Sequence, residues 1–198
     1  MAATKKKLTR AEKGELTRRN LLEAAVEVVG EQGYGNASVT DITTRANIAQ
    51  GTFYNYFESK QDILDQVLPE LGEVLLDYLG EQVGDATFLE REEKSVRAYF
   101  RFIREHPEFY RILMEAQVHS PLSYSRHAEN LTRNYIAALR KNKANGFLDD
   151  YSDEEFETLA VILLGARVQL MSQFCFRHGR VRAIPERVID TFMKFLAT

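Results

Sequence analysis

The chain has 198 residues, 44% of them apolar, and 26 basic against 29 acidic side chains give it a net charge of −3. That length holds one medium domain, or a small one fused to a larger one. No apolar run is long enough to span a bilayer, and no hydrophobic segment follows the N-terminal lysines, which speaks for a soluble protein without a secretory signal.

A single cysteine, Cys175, excludes an intrachain disulfide and agrees with a reducing cytoplasm. Four prolines, 11 glycines, dense helix formers and almost no period-two alternation predict an all-α fold of about nine helices. Charge is unevenly spread. Residues 1–22 hold seven bases and two acids, and residues 1–60 carry a net +2, leaving −5 for the remainder. A basic arm with Lys5, Lys6 and Lys7 is either a solvated tail or a phosphate-binding extension.

From about residue 10 to Gln32 one helix is expected, with Leu21, Leu22, Ala25, Val28 and Val29 inward and Gly33 ending it. Ser38 suits an N-cap for a short second helix, with Asp41 in its first turn and Val39, Ile42 and Ala46 at helical spacing. Asn47 tolerates the left-handed conformation of a sharp turn. A third short helix, roughly Gln50 to Tyr56, buries Phe53 and Phe57 and turns its polar residues outward. Two such helices with a tight turn are a helix-turn-helix, and the second has the size of a major-groove reader.

Ser59 caps a fourth helix striped by Ile63, Leu64, Val67, Leu68, Leu71, Leu75 and Leu79. Pro69 within it predicts a kink, either a plain bend around the core or a mechanical joint. A break is expected over Gly80 to Thr87, then a fifth helix with Val96, Tyr99, Phe100 and Ile103 on one face and Phe102 off it. Pro107 and Pro121 each open another helix, and Asn145-Gly146 stops the seventh. Ser152 with Glu155 is a capping box for an eighth helix reaching about His178, and a ninth starts near Pro185.

The run SVTDITTRANIAQGTFYNYFESKQDIL, preceded by LLEAAVEVVGEQGYGNA, resembles the DNA-binding segment of the TetR family of bacterial transcriptional regulators. The likeness covers about residues 15 to 65, and its G-T-F-Y-x-Y-F-x-S-K run is the specific part. Two departures stand out: Asn47 where a glycine is commonest, and Ala49 where a small hydroxyl residue usually caps the third helix. Losing such a cap costs about 0.5–2 kcal/mol.

The helix-turn-helix reading makes Gln50 the candidate for base readout, since an amide pairs with adenine in the major groove. Gly51 permits close backbone approach. Thr52, Tyr54 and Tyr56 suit phosphate or thymine-methyl contact, Asn55 a base or a phosphate, and Thr40 and Arg45 lie on the helix before. The resemblance implies a phosphate contact for Lys60. It also implies double-stranded operator DNA as partner, a repressor released by a small-molecule effector, and a homodimer. Domains are expected at residues 1–58 (arm and helix-turn-helix) and 59–198 (effector binding and dimerisation).

Between Tyr99 and Tyr135 aromatics concentrate. Phe100, Phe102, Tyr110, Met114, Tyr124, His127 and Tyr135 are candidate ligand contacts, weighed against plain core. Arg167 is odd in an apolar helix: it escapes at a rim, pairs with an acid, or holds an anionic ligand group. The eighth helix is apolar nearly all round and the ninth widely so, which predicts a dimer interface with Phe156, Leu163, Leu170, Phe174, Val188, Phe192 and Phe195. The histidines lack metal-ligand spacing, and neither a phosphate loop nor a nucleophile motif is present. No cofactor, metal or membrane is therefore expected, and no catalysis. The rivals are a larger domain that answers to a protein partner, and an all-α enzyme. Cys175, between two phenylalanines, reads as an inert thiol before a redox sensor.

Overall fold

The computed structural model describes residues 9–84, 87–144, 148–177 and 180–197. The lysine run, Asn145-Gly146 and His178 lie outside the described residues. Thr9 opens α1 (Arg10–Gln32) with a capping box to Glu12, and Gly33 closes it at φ 84°. A side chain at Gly33 would be strained by that φ, and its Cβ would lie 2.6 Å from a Glu115 carboxylate oxygen.

Ser38 caps α2 (Val39–Arg45) by accepting the Asp41 N–H at 3.1 Å. Asn47 makes the turn at φ 53°. The regular part of α3 is only Gln50–Phe53, and Ala49 makes no side-chain cap. The chain goes on turning, with Tyr56 and Phe57 N–H groups bonded to the Phe53 carbonyl. What fixes α3 is burial: Phe53 is 0% exposed, Phe57 1%, their rings 5.5 Å apart. Each such side chain contributes about 1.5–3 kcal/mol, more than the missing cap costs.

Ser59 caps α4 (Lys60–Val83), which runs through Pro69 and also through Gly80, so the expected break is narrower than Gly80–Thr87. Thr87 then caps α5 (Phe88–Glu105) with Glu90. Next come α6 (Glu108–His119), α7 (Pro121–Ala144), α8 (Glu155–Leu170) and α9 (Glu186–Leu196). α4 is the central helix, packed on α1, α5 and α7. One continuous apolar cluster runs from Leu21 and Phe53 through Leu68 and Phe102 to Met171 and Ile189.

Several expectations need correction. Phe102 is not off the buried face of α5: it is fully buried, stacked on His106 at 4.2 Å and edge-on to Phe109. α8 does not reach His178. It passes into a π-helical turn at Met171–Cys175 and then a two-stranded hairpin, β1 (Phe176–Arg177) and β2 (Arg180–Val181), with Phe176 opposite Val181. This detour keeps Met171 and Cys175 in the core and stacks Phe176 on Tyr110 of α6 at 4.0 Å. Among the described residues one helical segment, Glu155–Cys175, is after all long and apolar enough to cross a membrane by length and composition. It bears a buried ion pair and packs against α7.

The expected dimer residues divide. Phe156, Leu163 and Val188 are buried within the protomer and cannot form an interface; Leu170, Phe174 and Phe192 are half-buried; Phe195 is 69% exposed. Residues 156, 160, 163, 167 and 171 form the inward stripe of α8, which puts Val161 (60% exposed) and Ile162 (53%) on its outer side. Apolar residues all round a helix do not reveal which side its own domain covers.

Candidate nucleic-acid interface and effector cavity

Gln50, Gly51, Tyr54 and Asn55 are exposed on the outer face of α3, and Thr52 and Tyr56 are half-buried beside them. Gly51 has no neighbouring atom within 4 Å of where a Cβ would stand. No packing within the protein requires a glycine there, which leaves the face open to another molecule. Tyr56 leans its ring towards Gly14 of α1, so it also braces the unit.

Thr40 is exposed on α2. Arg45 is already engaged, bonded to Glu27 at 2.9 Å and Glu31 at 2.6 Å, and these carboxylates raise its pKa. Its geometry is that of a brace between α2 and α1. Lys60 donates from Nζ to the Ala37 carbonyl at 3.0 Å, tying the start of α4 to the loop before α2. Sequence reasoning missed the braces because the partner acids lie 14 and 18 residues upstream.

The candidate ligand residues do not share one site. Phe100 and Phe102 are core. Tyr110 and Met114 line an open groove of about 1120 Å³ between α1, α6 and the hairpin. Tyr124, His127 and Arg167 line an inner, mostly apolar chamber of about 240 Å³, built from α4 to α8. Its other walls include Leu75, Leu79, Tyr99, Leu113, Leu131 and Leu164. An outer, more polar chamber of about 570 Å³ contains Tyr135 and shares Leu79, Leu131, Leu164 and Arg167 with the inner one. The aliphatic walls were missed because a leucine facing a cavity has the same spacing as one facing the core.

Arg167 resolves in favour of an acid partner. It is 2% exposed and donates to Glu92 of α5 at 2.8 Å and to Ser95 at 3.2 Å, with its guanidinium 5.2 Å from the Tyr135 ring centroid. Glu92 was overlooked although the signal existed: it falls on the same helical stripe as Val96, Tyr99 and Ile103. His127 is 3% exposed, and burial lowers its pKa to about 4. Its Nδ1 would lie 2.3 Å from a Cβ at Gly72, so this glycine is a notch in α4 that seats the ring. Burial pushes the Cys175 thiol up to about 11, which keeps it protonated and unreactive.

Two links join this region to the helix-turn-helix unit. On α4, Asp65 accepts from Gln61 at 2.8 Å and from Ser120 at the α6–α7 junction. On α6, Arg111 donates to the Glu31 carbonyl at 2.8 Å, and Glu115 accepts the Tyr34 N–H at 2.8 Å. Arg111 thus places a positive charge on the C-terminal carbonyls of α1, while Glu115 accepts from the loop that follows it.

A short helix-turn-helix with an open outer face is thus carried on a helical body that encloses an apolar chamber among α4 to α8. The family profile described as "Bacterial regulatory proteins, tetR family" matches residues 21–67. The regulator YvdT of Bacillus subtilis is 43% identical over 63 residues, 32% of this chain and 30% of its own length. The repressor NicS of Pseudomonas putida is 30% identical over 135 residues, 65% of this chain and 60% of its own. The chain thus matches less than two thirds of the length of these relatives. The crystal structure of FadR from Bacillus subtilis in complex with stearoyl-CoA superposes with a TM-score of 0.74 at 17% identity, covering 91% of this chain and 97% of that one. The match to the tetR family of bacterial regulatory proteins thus lies in residues 21–67, which hold the helix-turn-helix.

Proposed function

We propose that the protein is a DNA-binding transcriptional regulator that works as a homodimer on an inverted-repeat operator in the cytoplasm. Residues 1–58 bind the operator and residues 59–198 sense and dimerise. It is a repressor, released when a small, largely apolar ligand enters the paired chambers between α4 and α8. The observation that carries the reading is the joining of an unobstructed α3 face, with Gly51 open to solvent, to an apolar cavity through one continuous helix, α4. The tetR-family match over residues 21–67 supports it, as does the stearoyl-CoA complex of a protein with the same fold. A protein partner would need an exposed groove. The one beneath the hairpin is rimmed by Glu27, Glu31, Arg104 and Arg111, whereas the inner chamber has the apolar walls of a small-molecule site.

Enrichment of genomic fragments by the ligand-free protein identifies the operator, and two variants then test the interface. Gln50→Ala should cost about 1–3 kcal/mol and relax preference at one base position. Lys60→Ala should weaken all sequences alike and lower the salt slope by roughly one ion. Identical sequence profiles and salt slopes for the two variants would overturn these roles.

A further inference from the structure

The inner chamber is small. At about 240 Å³ it falls below the roughly 300–1,000 Å³ of sites that enclose drug-sized ligands, whereas a dry apolar cavity of about 150 Å³ already holds benzene. A single ring with one or two small substituents therefore fills it, and a long flexible chain does not. Tyr99, Phe109, Tyr124 and several leucines supply its walls, a surface suited to stacking and edge contacts with another ring. Towards the outer chamber the buried Arg167–Glu92 pair stands at the boundary.

One polar residue of the wall lacks a partner. His127 is 3% exposed and lines the chamber, yet its ring makes no hydrogen bond among the described residues. The Nδ1–Cε1 edge rests on Gly72, at 2.3 and 2.8 Å from where a Cβ would stand, which leaves Nε2 on the far side of the ring for the chamber. A buried polar side chain left unpaired is costly. A neutral imidazole has one N–H and one bare nitrogen, and a hydroxyl both donates and accepts, so a hydroxyl completes either tautomer. Charge narrows the choice further. Glu92 offsets Arg167, the one cationic side chain among the described residues of the wall, and burial keeps His127 neutral. An anionic ligand finds no free positive charge there to offset its desolvation. We infer that the inner chamber takes a compact neutral phenol, its single ring among the aromatic and leucine side chains and its hydroxyl hydrogen-bonded to His127. The inference rests on the reading of this chamber as the effector site and names the chemical class of that effector.

The test uses the full-length protein at neutral pH, with calorimetric binding of p-cresol, p-xylene, 4-methylbenzoate and dodecan-1-ol, and operator affinity measured alongside. p-Xylene replaces the hydroxyl of p-cresol by a methyl group of similar size. A buried hydroxyl without a partner would make p-cresol the weaker binder of the two. Wild type should instead bind p-cresol at least as tightly as p-xylene, and about tenfold or more tighter than 4-methylbenzoate. Dodecan-1-ol should not displace it. His127→Phe keeps a ring and removes the polar partner, so p-cresol should weaken about tenfold against p-xylene, whose binding reports that the chamber still forms. p-Xylene ahead of p-cresol in wild type overturns the inference without recourse to the variant. So do displacement by dodecan-1-ol, an acid as tight as the phenol, and an unchanged p-cresol to p-xylene ratio in His127→Phe; each leaves the chamber as a ligand site. p-Cresol that binds without changing operator affinity upholds the inference and overturns the reading of the chamber as the effector site. Failure of every compound to bind overturns both.

Discussion

His127 and Arg167 are both buried polar residues on apolar helices, yet the protein treats them differently. Arg167 is paired with the Glu92 carboxylate at 2.8 Å, whereas His127, seated against Gly72 and Phe109, is kept neutral by desolvation. Its pKa falls from an ordinary value of 6.5 to about 4 on folding, so between those values the unfolded chain binds the extra proton. Stability from this group is fully present above pH 6.5 and lost as pH falls towards 4, about 3 kcal/mol in all. Urea unfolding of wild type should show that decline, and His127→Asn should flatten it from a lower starting stability. Parallel pH profiles would mean that His127 does not govern the loss. The sequence marked His127 as a candidate, but its burial and its notch at Gly72 depend on α4 and α7 meeting at that point.

At the scale of elements, α4 and α6 share the connection between cavity and DNA-binding unit. α4 was legible as that connection, since Ser59 and Lys60 join it to the helix-turn-helix and its leucines enter the larger body. The α6 link was not, because Arg111 and Glu115 bond to backbone around residues 31–34, about eighty positions away. Pro69 lacks the N–H that would bond the Asp65 carbonyl, and the Asp65 side chain is itself anchored to Ser120. Pro69→Ala should restore the helical bond and stiffen α4 next to that anchor. The expected outcome is unchanged affinity for a small molecule bound in the inner chamber and an altered ratio of operator affinities with and without it. Equal ratios in mutant and wild type would reduce Pro69 to a bend in the core. A full switch from 1:99 to 99:1 requires about 5.5 kcal/mol of differential binding, so a modest change in stiffness is measurable.

At the scale of the whole molecule, α8 and α9 carry exposed apolar side chains, Ile162 (53% exposed) and Val161 on the outward side of α8 and Phe195 on α9. A two-fold dimer through these faces would present two copies of α3 to successive half-sites about 34–36 Å apart, or a multiple of that. Ile162→Asp should produce monomers in sedimentation and lose most operator affinity, because a single half-site then binds alone. The variant should leave the protomer's melting transition nearly unchanged, since Ile162 is 53% exposed. Dimers that survive this substitution would place the interface elsewhere.

The sequence by itself determined what depends on neighbours along the chain. Caps at Ser38, Ser59 and Ser152, the turn at Asn47 and the helical stripes are set by interactions spanning three or four residues, so all-α architecture and the helix-turn-helix were readable directly. Tertiary structure alone decided which side of α8 faces inward, that Phe102 joins the core, and that Arg45 braces α1. It also decided that the candidate ligand residues split between two chambers, a groove and the core. Each depends on pairs far apart in sequence, such as Glu92 and Arg167, 75 positions apart. Their juxtaposition comes from burying apolar surface, which is non-directional, so no spacing along the chain encodes it.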